Sequence, residues 1–142
     1  MIAKVMSSAV IGIDAYLLEV EVDISLGLPI FSIVGLPDLA VKESKDRVRA
    51  AIKNIGLDFP VKKITINLAP ADIKKEGSSF DLPIAIGIIV AEGIIPKEKI
   101  KELLIAGELS LDGRVKPIRG ALSIAVAAKN AGLSGVILPS EN

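Results

Sequence analysis

Between Lys63 and Ala91 the chain changes chemical character twice, and that limits the folds open to it. Ile64-Thr-Ile-Asn67 is rich in β-branched residues and reads as a strand, whereas Leu82 to Ala91 is apolar all round and reads as a buried helix. The segment Asn67-Leu-Ala-Pro-Ala-Asp-Ile-Lys-Lys-Glu-Gly-Ser-Ser-Phe-Asp-Leu-Pro83 joins them, with prolines, a glycine and paired serines. A strand that runs through such a loop into a buried helix is an α/β unit. The turn before the helix is where such proteins tend to hold ligands or nucleophiles.

A chain of 142 residues fits one domain that buries roughly 68–70% of its unfolded surface. Aromatics are 3% of a sequence that is 51% hydrophobic, so the core must be built from Ile, Val, Leu and Ala. Seventeen basic residues balance seventeen acidic ones, which gives no global field toward nucleic acid or membrane and leaves only local patches. Cysteine and histidine are both absent. Disulfides, thiolate nucleophiles, imidazole bases and the usual zinc ligands go with them. No apolar run reaches the ~18 residues of a bilayer span, and Met-Ile-Ala-Lys-Val-Met lacks the features of a signal peptide, so the expectation is a cytoplasmic protein with no membrane partner. Pro139-Ser-Glu-Asn142 follows directly on an apolar strand, which reads as a cut from a longer protein.

Residues 3–11 and 15–25 read as strands joined by a turn around Gly12-Ile-Asp14. Val20, Val22 and Ile24 alternate with Glu19, Glu21 and Asp23. Ile30 to Val34 gives a third strand. Asp38 as N-cap and Gly56 as C′ residue bound a helix with Val41, Ser44, Val48, Ala51, Ile52 and Ile55 on its inner face. Its other face carries Lys42, Glu43, Lys45, Asp46, Arg47, Arg49 and Lys53, with Glu43 and Arg47 spaced for an i,i+4 pair. That face is either simply solvated or a basic contact surface continued by Lys62, Lys63, Lys74 and Lys75. Lys63 to Leu68 is the fourth strand. A short polar helical turn from Pro96 through Lys101 follows the buried helix. Asp112-Gly113 signals a hairpin with both loop residues at positive φ, and Pro117 belongs at a strand end. Gly120 to Ala131 is an Ala-rich helix, and Gly135 to Leu138 a last strand. An α+β fold, an α/β two-layer sandwich, is expected.

Gly77-Ser78-Ser79 precedes the buried helix and admits two readings. Ser78 with Asp81 three residues on matches a capping box. Alternatively a serine is a nucleophile, which in a chain without histidine needs a lysine of lowered pKa or a carboxylate as base. No Gly-x-x-x-x-Gly-Lys-Ser/Thr phosphate-binding loop and no metal-ligand spacing occurs, so an NTPase site within these residues is excluded.

Val34-Gly-Leu-Pro-Asp38, the run Val41 to Ala51, Phe59-Pro60 and the whole run Ile64 to Gly87 resemble the N-terminal domain of the magnesium-chelatase-like AAA+ ATPases, the family of YifB and the competence protein ComM. The resemblance implies that residues 1–142 form a single domain whose AAA+ module follows. It implies ATP and magnesium as cofactors of the full-length protein and none for this portion. It further implies a homohexamer in full length, with the AAA+ module and DNA as partners, and a role in DNA processing as a branch-migration helicase. The candidate DNA or partner contacts are then Lys42, Lys45, Arg47, Arg49, Lys62, Lys63, Lys74 and Lys75. A chelatase subunit is an alternative that rests on the family description.

Residues 62–142 are also similar to the proteolytic domain of Lon peptidases. Lys75-Glu-Gly-Ser-Ser79 places Ser79 at the nucleophile position. Gly107 to Ile118 matches the strand-hairpin region that leads to the catalytic lysine, and Leu122 stands at that lysine's position. The resemblance implies a ribosomal-protein-type βαβ fold with a left-handed crossover. Without the base, whose help is typically worth ~10²–10⁴-fold, it implies a non-catalytic domain. A serine peptidase that recruits Lys116 or Lys75 is the alternative.

Overall fold

A computed structural model describes residues 1–142, with strands β1 (Ile2–Ile11), β2 (Asp14–Ser25), β3 (Phe31–Val34), β4 (Lys63–Ala69), β5 (Leu103–Ile105), β6 (Glu108–Leu109), β7 (Val115–Lys116) and β8 (Gly135–Ile137). The helices are α1 (Leu39–Lys42), α2 (Ser44–Asn54), α3 (Asp81–Ala91) and α4 (Ala121–Asn130). Six strands form a mixed sheet in the order β3-β4-β2-β1-β5-β8, and β6 and β7 make a separate ribbon. β1 and β2 are an antiparallel hairpin, in register from Ile2 opposite Asp23 to Ile11 opposite Asp14. β4 is antiparallel to β2, while β3 lies parallel to β4, β5 to β1 and β8 to β5.

The period-two pattern of β2 decides which face of the sheet is dry. Val20, Val22 and Ile24 are buried with Val5, Ile64, Ile66 and Leu68 under α2 and α3, each contributing roughly 1.5–3 kcal/mol when taken out of water. Glu21 and Asn67 meet on the opposite, wet face, where the amide donates to the carboxylate at 2.7 Å. α4 covers the second face from the start of β2 across β1 and β5 to β8, packing Ile124 and Ala128 against Leu104 and Ala106. The result is the expected α+β two-layer sandwich, with a third layer at one end. α3 sits so close to the sheet that a Cβ on Gly87 would lie 2.5 Å from Val22 Cγ2.

Two local expectations change. The helix from Asp38 to Gly56 is interrupted at Glu43, where the Ala40 carbonyl accepts from Arg47 Nη2 at 3.1 Å. Its ends are as read: Asp38 caps the Val41 amide at 2.8 Å, and the Gly56 and Leu57 amides return to Lys53 and Ile52 carbonyls. The hairpin at Asp112-Gly113 is not a two-residue turn with two positive φ angles. Ser110 and Arg114 close a three-residue loop in which only Gly113, at φ 93°, is left-handed. This is a type I turn followed by a glycine bulge.

Candidate functional site

The two loops at the C-terminal ends of β3 and β4 are built as one unit. Gly35 takes φ 103°, and a Cβ there would lie 2.3 Å from the Leu68 carbonyl oxygen, so β3 can turn only at glycine. Lys75 is 0% exposed, and its ammonium donates to the Gly35 carbonyl at 2.8 Å and to the Pro70 carbonyl. Its backbone pairs with the other loop as well, Lys75 N to Leu36 O at 3.0 Å and Asp38 N to Lys75 O at 2.9 Å. Asp38 completes the link by accepting from Gly77 N at 3.3 Å. Burial pushes the Lys75 ammonium below its ordinary pKa, while the Asp72 charge opposes that shift. Lys75 is therefore a structural clamp, and the expectation that it meets a partner or serves as a recruited base is corrected.

Asp81, also 0% exposed, opens α3 and joins it to α2 and β6. It accepts from Ser44 Oγ at 2.5 Å, from Arg47 Nε at 2.6 Å and Nη2 at 3.0 Å, and from the Leu109 amide at 3.1 Å. Hydrogen bonding to Asp81 raises the Arg47 pKa, with desolvation acting against it. Arg47 thus turns inward rather than to the basic face, and it pairs with Asp81 rather than Glu43. The capping-box reading is corrected too. The N-cap of α3 is Phe80, without a side-chain bond, and Ser78 Oγ donates instead to the Glu108 carboxylate. The Leu82 amide is taken by the Gly107 carbonyl at 3.0 Å.

Ser79 lines a cleft of about 390 Å³ with Glu76, Ser78, Glu108 and Arg119. The half-buried Ser79, expected at a nucleophile position, therefore borders an open cleft. Leu122, expected at the lysine position, is 79% exposed and lines a different hollow beside Ile13 and Val126. The cation in the Ser79 cleft is an arginine, which cannot give up its proton to act as base. Lys116 is exposed on β7 and does not line the cleft. The arrangement can hold a polar group but contains no serine–lysine dyad.

The remaining predicted contacts divide by their partners. Lys62 pairs with Glu92 at 3.2 Å, and Lys74 with Glu76 at 3.6 Å. Lys42, Lys45, Arg49 and Lys63 have no carboxylate within ion-pair distance. Lys45, Arg49 and Lys53 stand four apart and share one face of α2. Lys53, which is not among the predicted contacts, joins them by its four-residue spacing from Arg49. The Arg49 guanidinium lies 5.2 Å from the Phe59 ring centroid and 5.9 Å from that of Phe31. No three His, Cys, Asp or Glu side chains gather closely enough to hold a metal ion. With no phosphate-binding loop either, the residues present do not fit ATP or magnesium. No helix is long and apolar enough to cross a membrane.

Residues 20–142 match the family described as subunit ChlI of Mg-chelatase. YifB of Escherichia coli K12 is 47% identical over 134 residues, covering 94% of this chain and 26% of that protein. Competence protein ComM of Haemophilus influenzae is 44% identical over 130 residues, covering 92% of this chain and 26% of that protein. A Lon protease of Bacillus thuringiensis is 34% identical over 132 residues, covering 88% of this chain and 16% of that protein. The chain thus spans about a quarter of the length of YifB and ComM.

Proposed function

This chain belongs to the family of subunit ChlI of Mg-chelatase, and we propose that it is the non-catalytic N-terminal domain of a magnesium-chelatase-like AAA+ ATPase acting in DNA processing. In this reading it serves hexamer assembly, DNA guidance or both, in the cytoplasm. ATP and magnesium belong to the AAA+ module of the full-length protein. The observation that carries the reading is the unpaired cation row Lys45, Arg49 and Lys53 on α2, preceded by the unpaired Lys42 at the end of α1. Cations with no carboxylate to neutralise them are free to replace the counterions of a phosphate backbone. The name of the relative, competence protein ComM, supports natural transformation as the setting.

Titration of this chain against single- and double-stranded DNA at rising salt tests the reading. Binding that weakens with salt, with a slope reduced by about 0.7 for each of Lys45→Ala and Lys53→Ala on single strands, supports it. Absence of binding, or binding indifferent to these changes, removes DNA guidance and leaves assembly. A second reading, a serine peptidase, has the open position of Ser79 in its favour and lacks a base. A chelatase subunit has the family description in its favour, and no donor set in this chain answers to it.

A further inference from the structure

The cation row on α2 ends at a cleft. Arg49 and Lys53 from α2, Phe31 from β3, and Phe59, Val61 and Lys62 from the segment before β4 line about 290 Å³ of open space. The Phe31 and Phe59 rings pack 5.6 Å apart at 30°, and the Arg49 guanidinium spans both. The guanidinium bridges the two rings, and Arg49 remains exposed to solvent. Val61 is exposed and supplies an apolar rim, and Lys53 lines the cleft with an ammonium that has no carboxylate partner, whereas that of Lys62 is held by Glu92.

We propose that this cleft binds one unstacked base of a single-stranded nucleic acid, with the base laid on Arg49 and a flanking phosphate met by the unpaired Lys53. The proposal rests on the reading of α2 as a DNA-contacting face and gives that face a strand preference. Three features select this ligand. The guanidinium over the paired rings is a surface on which any π face can lie, which makes it tolerant of sequence. The volume is at the lower end of ligand sites, enough for one base and too small for a duplex groove edge. Bases inside a duplex have both faces covered by neighbours, so only an unpaired strand can present one.

Fluorescence anisotropy with three labelled probes of equal length tests this: oligothymidine, an abasic deoxyribose-phosphate strand, and a duplex. The expected result is that oligothymidine binds about fivefold or more tighter than the abasic strand. Arg49→Lys, which keeps the charge and loses the planar guanidinium, should abolish that difference, bringing oligothymidine binding down to the level of the abasic strand. Equal affinity for oligothymidine and the abasic strand overturns the proposal while leaving DNA contact by α2 intact, as does an Arg49→Lys protein that still prefers bases. Failure to bind any probe overturns the DNA reading and this proposal together. Displacement by polyglutamate as effective as by unlabelled oligothymidine assigns the cleft to acidic peptide, which also overturns it.

Discussion

Arg47 and Asp81 meet as a bidentate pair, Nε to Oδ2 at 2.6 Å and Nη2 to Oδ1 at 3.0 Å, across the contact between α2 and α3. The carboxylate is fully buried and the guanidinium side chain 23% exposed, so the pair is desolvated mainly on one side. Arg47→Ala would leave a buried carboxylate with only Ser44 and the Leu109 amide. We expect a loss of about 3 kcal/mol, the low end of the range for breaking a buried pair because Arg47 is partly solvated. Lys53→Ala should stay within about 0.5 kcal/mol of wild type. Urea unfolding of both variants checks this, and equal midpoints for Arg47→Ala and wild type would show that the pair is not structural.

Gly35 and Gly12 both have positive φ, at 103° and 64°, but only Gly35 faces a backbone wall. Gly12→Ala should cost about 1–2 kcal/mol, from the left-handed backbone alone. Gly35→Ala should cost more, since its Cβ must also displace the Leu68 carbonyl that lies 2.3 Å away. Thermal unfolding of the two variants ranks them. A milder effect at Gly35 would show that the β3 turn relaxes freely.

Ser79 has solvent access without a base, and the exposed Leu122 lies outside its cleft. The protein is therefore expected to remain unlabelled by a serine-reactive phosphonate, as judged by intact mass. Leu122→Lys should not create a peptidase, because the new ammonium would enter the Ile13 hollow rather than the Ser79 cleft. Labelling that disappears in Ser79→Ala would revive the peptidase reading.

Asp112 titrates low, at about 2 against an ordinary 3.8, chiefly because the Ser110 hydroxyl and then the Arg114 amide donate to it. A depressed carboxyl pKa stabilises the fold above the unfolded value. That contribution declines as pH falls below 3.8 and is lost through about pH 2. Carboxyl-carbon NMR should give a midpoint near 2 for Asp112, moving up toward 3.8 in Ser110→Ala. An unchanged midpoint would assign the shift to Arg114 alone.

Much of the fold was legible because burial leaves a periodic trace. The alternation from Glu19 to Ile24, the N-cap at Asp38 and the glycine at 56 describe local geometry, and each held. The site was less legible. Lys45, Arg49 and Lys53 share a helix face by spacing, but nothing local distinguishes Arg47, two residues from Arg49, as the arginine that turns inward. Likewise Ser78 followed by Asp81 has the form of a capping box. Each side chain instead found a stronger partner from a distant segment, Glu108 for Ser78 and Arg47 for Asp81.

The sequence by itself determined the element order, the dry face of β2 and the presence of leucine rather than lysine at position 122, because these depend on which residues exist and at what spacing. Tertiary structure alone decided which lysines and arginines remain free. A long cationic side chain can reach several partners, and a carboxylate or carbonyl brought near by folding outcompetes water for it. That is why Lys75 became a clamp and Arg47 a buried strut. It is also why Arg49, over Phe31 and Phe59, was left facing solvent above a cleft.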